Sequence, residues 1–246
     1  MEAIKTVGLT KKYGALTAVD SLHLSVEQGE FYALLGVNGA GKTTAVRMLS
    51  CLCAPSAGEA YLMGKSVTAD PAAVKRIIGV SPQETAVAPN CSVRENLELM
   101  GGAHGFDRRT RVETAQRLME QFGLEEIAAR RAGKLSGGWQ RRLSIAMALV
   151  GEVEILFLDE PTLGLDVLAR RELWREIEKL KGRVTVVLTT HYLEEAAALC
   201  DRIAILNQGH LKAVGTEQEL LRATGAKDFE SAFAARAAGE GNGCAL

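Results

Sequence analysis

Phe31–Leu49, FYALLGVNGAGKTTAVRML, is the stretch on which the fold turns. FYALLG is a near-continuous apolar run, short enough for a strand buried on both faces. Gly36–Thr43, GVNGAGKT, then fits G-x-x-x-x-G-K-[ST], and TTAVRMLSCL continues with helical spacing. The glycines let the backbone turn tightly and aim successive N–H groups inward, and the following helix adds the positive end of its dipole. Such a loop holds phosphates by local donors. Its candidate binding residues are Gly36, Asn38, Gly39, Ala40, Gly41, Lys42, Thr43 and Thr44. Lys42 supplies a compact cation for the β- and γ-phosphates. The Thr43 hydroxyl is a hard oxygen suited to Mg2+, which takes oxygen donors together with substrate phosphates.

Outward from this loop, short apolar runs alternate with helical patterns. Val19, Leu22, Leu24 and Val26 fall mostly on one side of a single expected strand. EAYLMG, IIGVSP, ILFLD and VTVVLTTH read as further strands, and RIAILNQGHLKAVG as a hairpin turning at Asn207, Gln208 and Gly209. Buried runs separated by helices imply an α/β domain with a parallel sheet covered on both faces. Between Ser92 and Val150 only helical spacing is visible, with Val112, Ala115, Leu118, Met119 and Phe122 on one face. That segment reads as a helical insertion. The Ala- and Gly-rich ending predicts one short helix around Phe229–Ala238 and a frayed tail.

The 246 residues are 47% hydrophobic and 24% charged, which excludes a disordered or collagenous chain. Twenty-nine Lys and Arg against thirty Asp and Glu leave a net charge of −1, so there is no bulk positive field for nucleic acid. The apolar stretch Leu143–Val150 is too short to cross a bilayer. The N-terminus lacks a basic start and apolar core, so the expected location is the cytoplasm. Cys51, Cys53, Cys91, Cys200 and Cys244 lack the second cluster of a four-ligand zinc site and read as reduced thiols. The Arg pairs 108–109, 130–131, 141–142 and 170–171 are interleaved with Glu and read as solvated helix faces.

A phosphate loop needs a second carboxylate site. ILFLDEP provides it: a buried strand delivers Asp159 and Glu160 at its carboxyl end, where open α/β sheets bind ligands. Asp159 suits the Mg2+ sphere, and Glu160 is placed to take a proton from an attacking water.

LSGGWQRRLSIAMAL, Leu135–Leu149, just before ILFLDEPTLGLD, resembles the signature helix of ABC-type ATPases, and with the phosphate loop the chain is similar to the nucleotide-binding subunit of an ABC transporter over roughly Ile4–Leu221. The resemblance implies a P-loop NTPase with a mainly parallel core sheet, a small antiparallel β subdomain and an inserted helical subdomain. It places the ATPase domain at 1–223, the insertion at about 88–150, and a short helix and flexible tail at 224–246. In that family two subunits stack head to tail, each ATP lying between one phosphate loop and the other's signature. Ser136, Gly137 and Gly138 open a helix and present a hydroxyl, N–H groups and a dipole end, a second anion site. Trp139 replaces the family's usual Gln.

The resemblance assigns Tyr13 to stacking on adenine and Gln83 to Mg2+ or the water. It assigns Asp166 to the dimer interface and His191 to the γ-phosphate. Expected partners are ATP, a second copy or a homologous ATPase subunit, and transmembrane permease subunits on whose cytoplasmic side the chain sits. Two P-loops or a long coiled coil, marks of soluble ABC ATPases in translation or DNA maintenance, are absent, and a metabolic kinase would lack LSGG. SGGWQRRLSIAMALVGEVEILFLDEPTLGLD resembles exporter-like subunits, although importer subunits share most motifs.

Overall fold

A computed structural model describes residues 1–237. The chain divides into two compact units: the first combines Met1–Lys75 with the described residues from Thr185 onward, and the second is Arg76–Val184. The expected tail beyond Ala237, with Cys244, lies outside the described residues.

In the first unit, β1 (Glu2–Tyr13) is the centre of an antiparallel sheet, paired with β2 (Leu16–Leu22), β3 (Ser25–Glu27) and β5 (Ala57–Leu62), with β6 (Lys65–Ser66) beyond β5. The strand expected through Val19–Val26 is broken in two. Thr6, buried on β1, explains how the break is tolerated: its hydroxyl donates to the Leu22 carbonyl at 2.8 Å and accepts from the Leu24 N–H at 2.7 Å. The two backbone groups a continuous strand would have paired elsewhere are thereby satisfied, at about 1 kcal/mol each. Gly8, at φ 59, sits where the register of β1 against β5 shifts. A Cβ on Gly58 would stand 2.1 Å from its carbonyl oxygen, so the two backbones cross where no side chain fits.

The same unit holds the parallel strands. β4 (Phe31–Leu35) lies between β9 (Thr185–Thr190) and β10 (Arg202–Asn207), parallel to both, and all residues of β4 and β9 are buried. These are the strands that sequence shows as unbroken apolar or β-branched runs. β11 (His210–Gly215) pairs antiparallel with β10. Their turn, Gln208–Gly209, has positive φ at both residues, which suits the right-handed twist of a two-residue hairpin. The tip is tied on several sides: Gly209 N–H donates to the Ala40 carbonyl at 3.0 Å, its carbonyl accepts from Asp20 N–H at 2.9 Å, and Asn207 Nδ2 donates to the Ala237 carbonyl at 2.5 Å. Helices α1 (Lys42–Leu49), α7 (Leu193–Leu199), α8 (Glu217–Thr224) and α9 (Phe229–Ala237) belong to this unit, and the boundary after Lys75 falls within α2 (Pro71–Ile77).

The second unit contains the parallel pair β7 (Ile78–Ser81) and β8 (Ile155–Asp159), with α3 (Val93–Ala103), α4 (Arg108–Phe122), α5 (Gly137–Ala148) and α6 (Val167–Glu178). Helix α3 starts at a reciprocal Ser92–Glu95 capping box, and α4 runs from an Asp107 cap to a left-handed Gly123. Ala115, Leu118, Met119 and Phe122 are buried as their spacing predicts, while Val112, in the first turns of α4, is exposed. Buried Asn96 knits the preceding loop: its Oδ1 accepts from Ala88 N–H at 2.7 Å, and its Nδ2 donates to the carbonyls of Ala88, Cys91 and Ser92.

Candidate functional site

In the first unit the phosphate loop leaves β4 as expected. Gly36 N–H donates to the Thr190 carbonyl at 3.3 Å, which brings the residue before His191 against the loop's first residue. Gly36 also has no room for a side chain, since a Cβ would stand 2.4 Å from the Leu206 carbonyl oxygen. Gly41, at φ 100, precedes α1 and lies equally close to the Ala18 carbonyl, so a left-handed conformation and a close approach coincide there. Lys42 is buried, and its ammonium donates to the carbonyls of Gly36 at 2.7 Å and Val37 at 3.3 Å. Lys42 thus ties the loop's own backbone. Asn38, Gly39 and Thr43 are exposed, Ala40 is buried and Thr44 is half-buried, so the loop presents a polar surface around a fixed charge.

Tyr13, at the end of β1, is 46% exposed, enough for a ring face to remain open. Its hydroxyl lies 4.0 Å from the Cys53 sulfur, and Lys11 Nζ is 5.2 Å from the ring centroid. Partial loss of solvation, then the neighbouring Cys53 thiol, holds the Tyr13 phenol above its ordinary range, with Arg47 and Thr44 acting the other way. These neighbours place the ring beside α1. His191 is half-buried and packs on Tyr192 with centroids 4.1 Å apart. Tyr13, the loop and His191 are thus carried by one unit.

The second unit carries the rest. Asp159 and Glu160 are both buried at the end of β8. Glu160 adopts φ 48, a left-handed conformation that costs a non-glycine residue about 1–2 kcal/mol and clusters at functional positions. Ser136 stands at the N-cap of the 12-residue α5, yet makes no side-chain cap hydrogen bond. Ser92, Asp107, Asp166 and Thr216 all spend their side-chain oxygens on capping. Ser136 and Gly137 are exposed, and the first N–H groups of α5 have no partner within the helix. Asp166, exposed, accepts from Leu168 and Ala169 N–H at 2.9 Å each and starts α6. Gln83 is exposed just past β7.

Two expectations about arginines fail. Arg141 is buried, donating from Nη1 to the Pro82 carbonyl at 2.6 Å and from Nη2 to the Gln83 carbonyl at 2.5 Å. Arg142 pairs with Glu172 at 2.6 Å and lies 4.7 Å from the Trp139 ring centroid. Only tertiary packing distinguishes them from the exposed Arg108, Arg109, Arg130 and Arg131. No local signal marks Arg141.

A buried parallel strand running into a phosphate loop, together with an acidic pair at the end of a second such strand, defines a P-loop nucleotide hydrolase. The sequence profile of the ABC transporter family matches residues 19–163, more than half of the chain, and the chain belongs to that family. It is an ATP-binding, ATP-hydrolysing cassette. It is 43% identical over 224 residues to the daunorubicin resistance ATP-binding protein DrrA3 of Streptomyces coeruleorubidus, covering 91% of this chain and 71% of that protein. It is 42% identical over 226 residues to the doxorubicin resistance ATP-binding protein DrrA of Mycobacterium tuberculosis, covering 91% and 68%. With the Nod factor export ATP-binding protein I of Rhizobium sp. the identity is 40% over 220 residues, covering 89% and 72%. Among solved structures, an ATP-binding subunit of an ABC transporter superposes with TM-score 0.84 at 26% identity, over 95% of this chain and 99% of that one. The cassette MJ0796, dimeric in a post-hydrolysis state with ADP and Pi, gives 0.78 at 28% identity over 87% and 98%.

Proposed function

We propose that this chain is the ATPase subunit of an exporter, docking on separate transmembrane permease subunits at the cytoplasmic face and pairing with a second copy or a homologous subunit around ATP. The observation that carries the ATP chemistry is the phosphate loop with Lys42 buried at its centre and hydrogen-bonded to the Gly36 carbonyl. Support for export comes from relatives whose names specify drug resistance and Nod factor export. Pairing is supported by the dimeric cassette with ADP and Pi.

In this reading the donors of Gly36, Asn38, Gly39, Ala40, Gly41 and Thr44 cradle the phosphates, Lys42 neutralises them and Tyr13 stacks on the base. Ser136, Gly137 and Gly138 close over the γ-phosphate bound to the other copy, with Asp166 at that interface. Thr43, Gln83 and Asp159 are the oxygen donors assigned to Mg2+. An exposed hydroxyl and a strand-end carboxylate are the hard ligands that this ion takes beside phosphate oxygens, and the ion supplies charge neutralisation. Glu160 accepts a proton from water as its oxygen bonds to the γ-phosphorus and the bond to the bridging β–γ oxygen breaks, releasing ADP and phosphate. His191 contacts the γ-phosphate.

Affinity purification of the tagged chain from its native membranes, with identification of what comes with it, tests the reading. A polytopic permease without a substrate-binding protein is expected. Recovery with ribosomes or DNA, or with an importer's binding protein, would refute it.

A further inference from the structure

One face of α5 runs along the strand and loop that lead to Gln83. At its far end the Ala148 carbonyl oxygen lies 2.1 Å from where a Cβ on Gly79 would stand. Ser144 Oγ and Ser81 Oγ are 3.0 Å apart, both buried. Arg141 then takes the next two carbonyls in order, Pro82 and Gln83, with its two terminal nitrogens. Positions 141, 144 and 148 form one helical stripe, and they grip residues 79, 81, 82 and 83 in succession. Arginine is suited to the last grip. Its planar fork meets two acceptors at once, whereas a lysine ammonium presents a point charge without that fixed spacing. β7 has ended at Ser81, so no strand partner competes for those carbonyls.

An adjacent flank of α5 is also held. Arg142 bridges Trp139 and Glu172, and a Cβ on Gly138 would lie 3.3 Å from Ala169 Cβ. The helix is a rod with Ser136–Gly138 at its tip and the Gln83 backbone fastened to its side. We propose that Arg141 is a positioning residue for ATP hydrolysis: it fixes the Gln83 loop to the signature helix, so that a displacement of Gln83 is a displacement of Ser136–Gly138. The proposal rests on the roles given above to Gln83 and Ser136–Gly138.

The test is steady-state ATP hydrolysis by the full chain carrying Arg141→Ala, Arg141→Lys, Gln83→Ala, or Gln83→Ala with Arg141→Ala. Misplacing a catalytic group by about 1 Å costs on the order of a hundredfold. Arg141→Ala is expected to lower kcat by about tenfold to a hundredfold while leaving KM for ATP within about threefold, because the Lys42 loop and Tyr13 are untouched. Millimolar guanidinium should restore part of that kcat, Arg141→Lys should fall between, and the double variant should be no slower than Gln83→Ala alone. If Arg141→Ala does not fold, Arg141→Lys decides: wild-type kcat overturns the proposal and a lowered kcat at unchanged KM upholds it. Losses that add in the double variant, or a folded Arg141→Ala without guanidinium rescue, also overturn it. Those results with Gln83→Ala impaired would leave the proposed function standing. An unimpaired Gln83→Ala would remove the role of Gln83 and the proposal with it.

Discussion

Glu160 is the residue at which chemistry and backbone strain separate most cleanly, through the pair Glu160→Gln and Glu160→Gly. Gln keeps the shape and loses the base. General-base catalysis contributes about 10²–10⁴-fold, so phosphate release should fall by that factor, or roughly 3–5 kcal/mol of barrier. Because Gln bears the same left-handed cost at φ 48 and fills nearly the same buried volume, its melting temperature should stay near that of the wild type. Gly loses the base as well and also removes about 1–2 kcal/mol of conformational strain, offset by about 0.5–1 kcal/mol of extra unfolded-state entropy. The net gain of up to about 1.5 kcal/mol corresponds to at most roughly 3–6 °C in a chain of this size. The assays are phosphate release, thermal melting, and size-exclusion chromatography in ATP, where the slow Gln variant should accumulate as a dimer. Turnover within a few-fold of wild type in the Gln variant would refute the assignment of the base. A Gly variant melting well below the Gln variant would refute the strain argument, and a persistent monomer in ATP would count against pairing around the nucleotide.

Lys42→Ala should weaken ATP binding by roughly 10- to 100-fold, the worth of a charge-assisted hydrogen bond of about 1.5–3 kcal/mol, and abolish hydrolysis; titration with a fluorescent ATP analogue checks it, and near wild-type turnover would sink the phosphate assignment. The same change strips the Gly36 and Val37 carbonyls of their donor, so the unliganded protein should also melt lower. Tyr13→Ala should raise KM for ATP by about fivefold to a hundredfold, corresponding to a stacking energy of about 1–3 kcal/mol, and Tyr13→Phe should preserve it; an unchanged KM in the Ala variant means that the ring is not under the base.

What was legible in the chain was whatever is encoded locally. A continuous apolar run with a glycine-rich loop behind it specifies a buried strand and an anion-binding turn without help from distant residues, and so Gly36–Thr43, β8 with Asp159 and Glu160, and a hairpin turning around Asn207–Gly209 could be read directly, although Asn207 itself pairs with His210. The break between β2 and β3 could not. The pattern of Val19, Leu22, Leu24 and Val26 is that of one strand, and the hydroxyl that makes the interruption tolerable belongs to Thr6, 16 residues from Leu22. Arg141 and Arg142 look alike in sequence. Their different surroundings follow from the loop after β7 packing beside one and α6 beside the other, about 100° round the helix, which is information held in tertiary packing. The conformation of Glu160 was hidden for a related reason: nothing in LDEP announces a left-handed glutamate, and only the surrounding fold imposes one.

Hairpin tips are ordinarily where a chain accepts extra residues, and the β10–β11 tip is an exception. With Asn207 committed to Ala237 and Gly209 to both Ala40 and Asp20, one inserted residue would uncouple the phosphate loop, a β-strand and the last described helix together. A fluorophore, epitope or split-reporter junction belongs instead at Gly105, an exposed left-handed glycine between α3 and α4 where an added Cβ would meet open space. That choice leaves the nucleotide-facing half of the first unit undisturbed while marking the helical hairpin of the second.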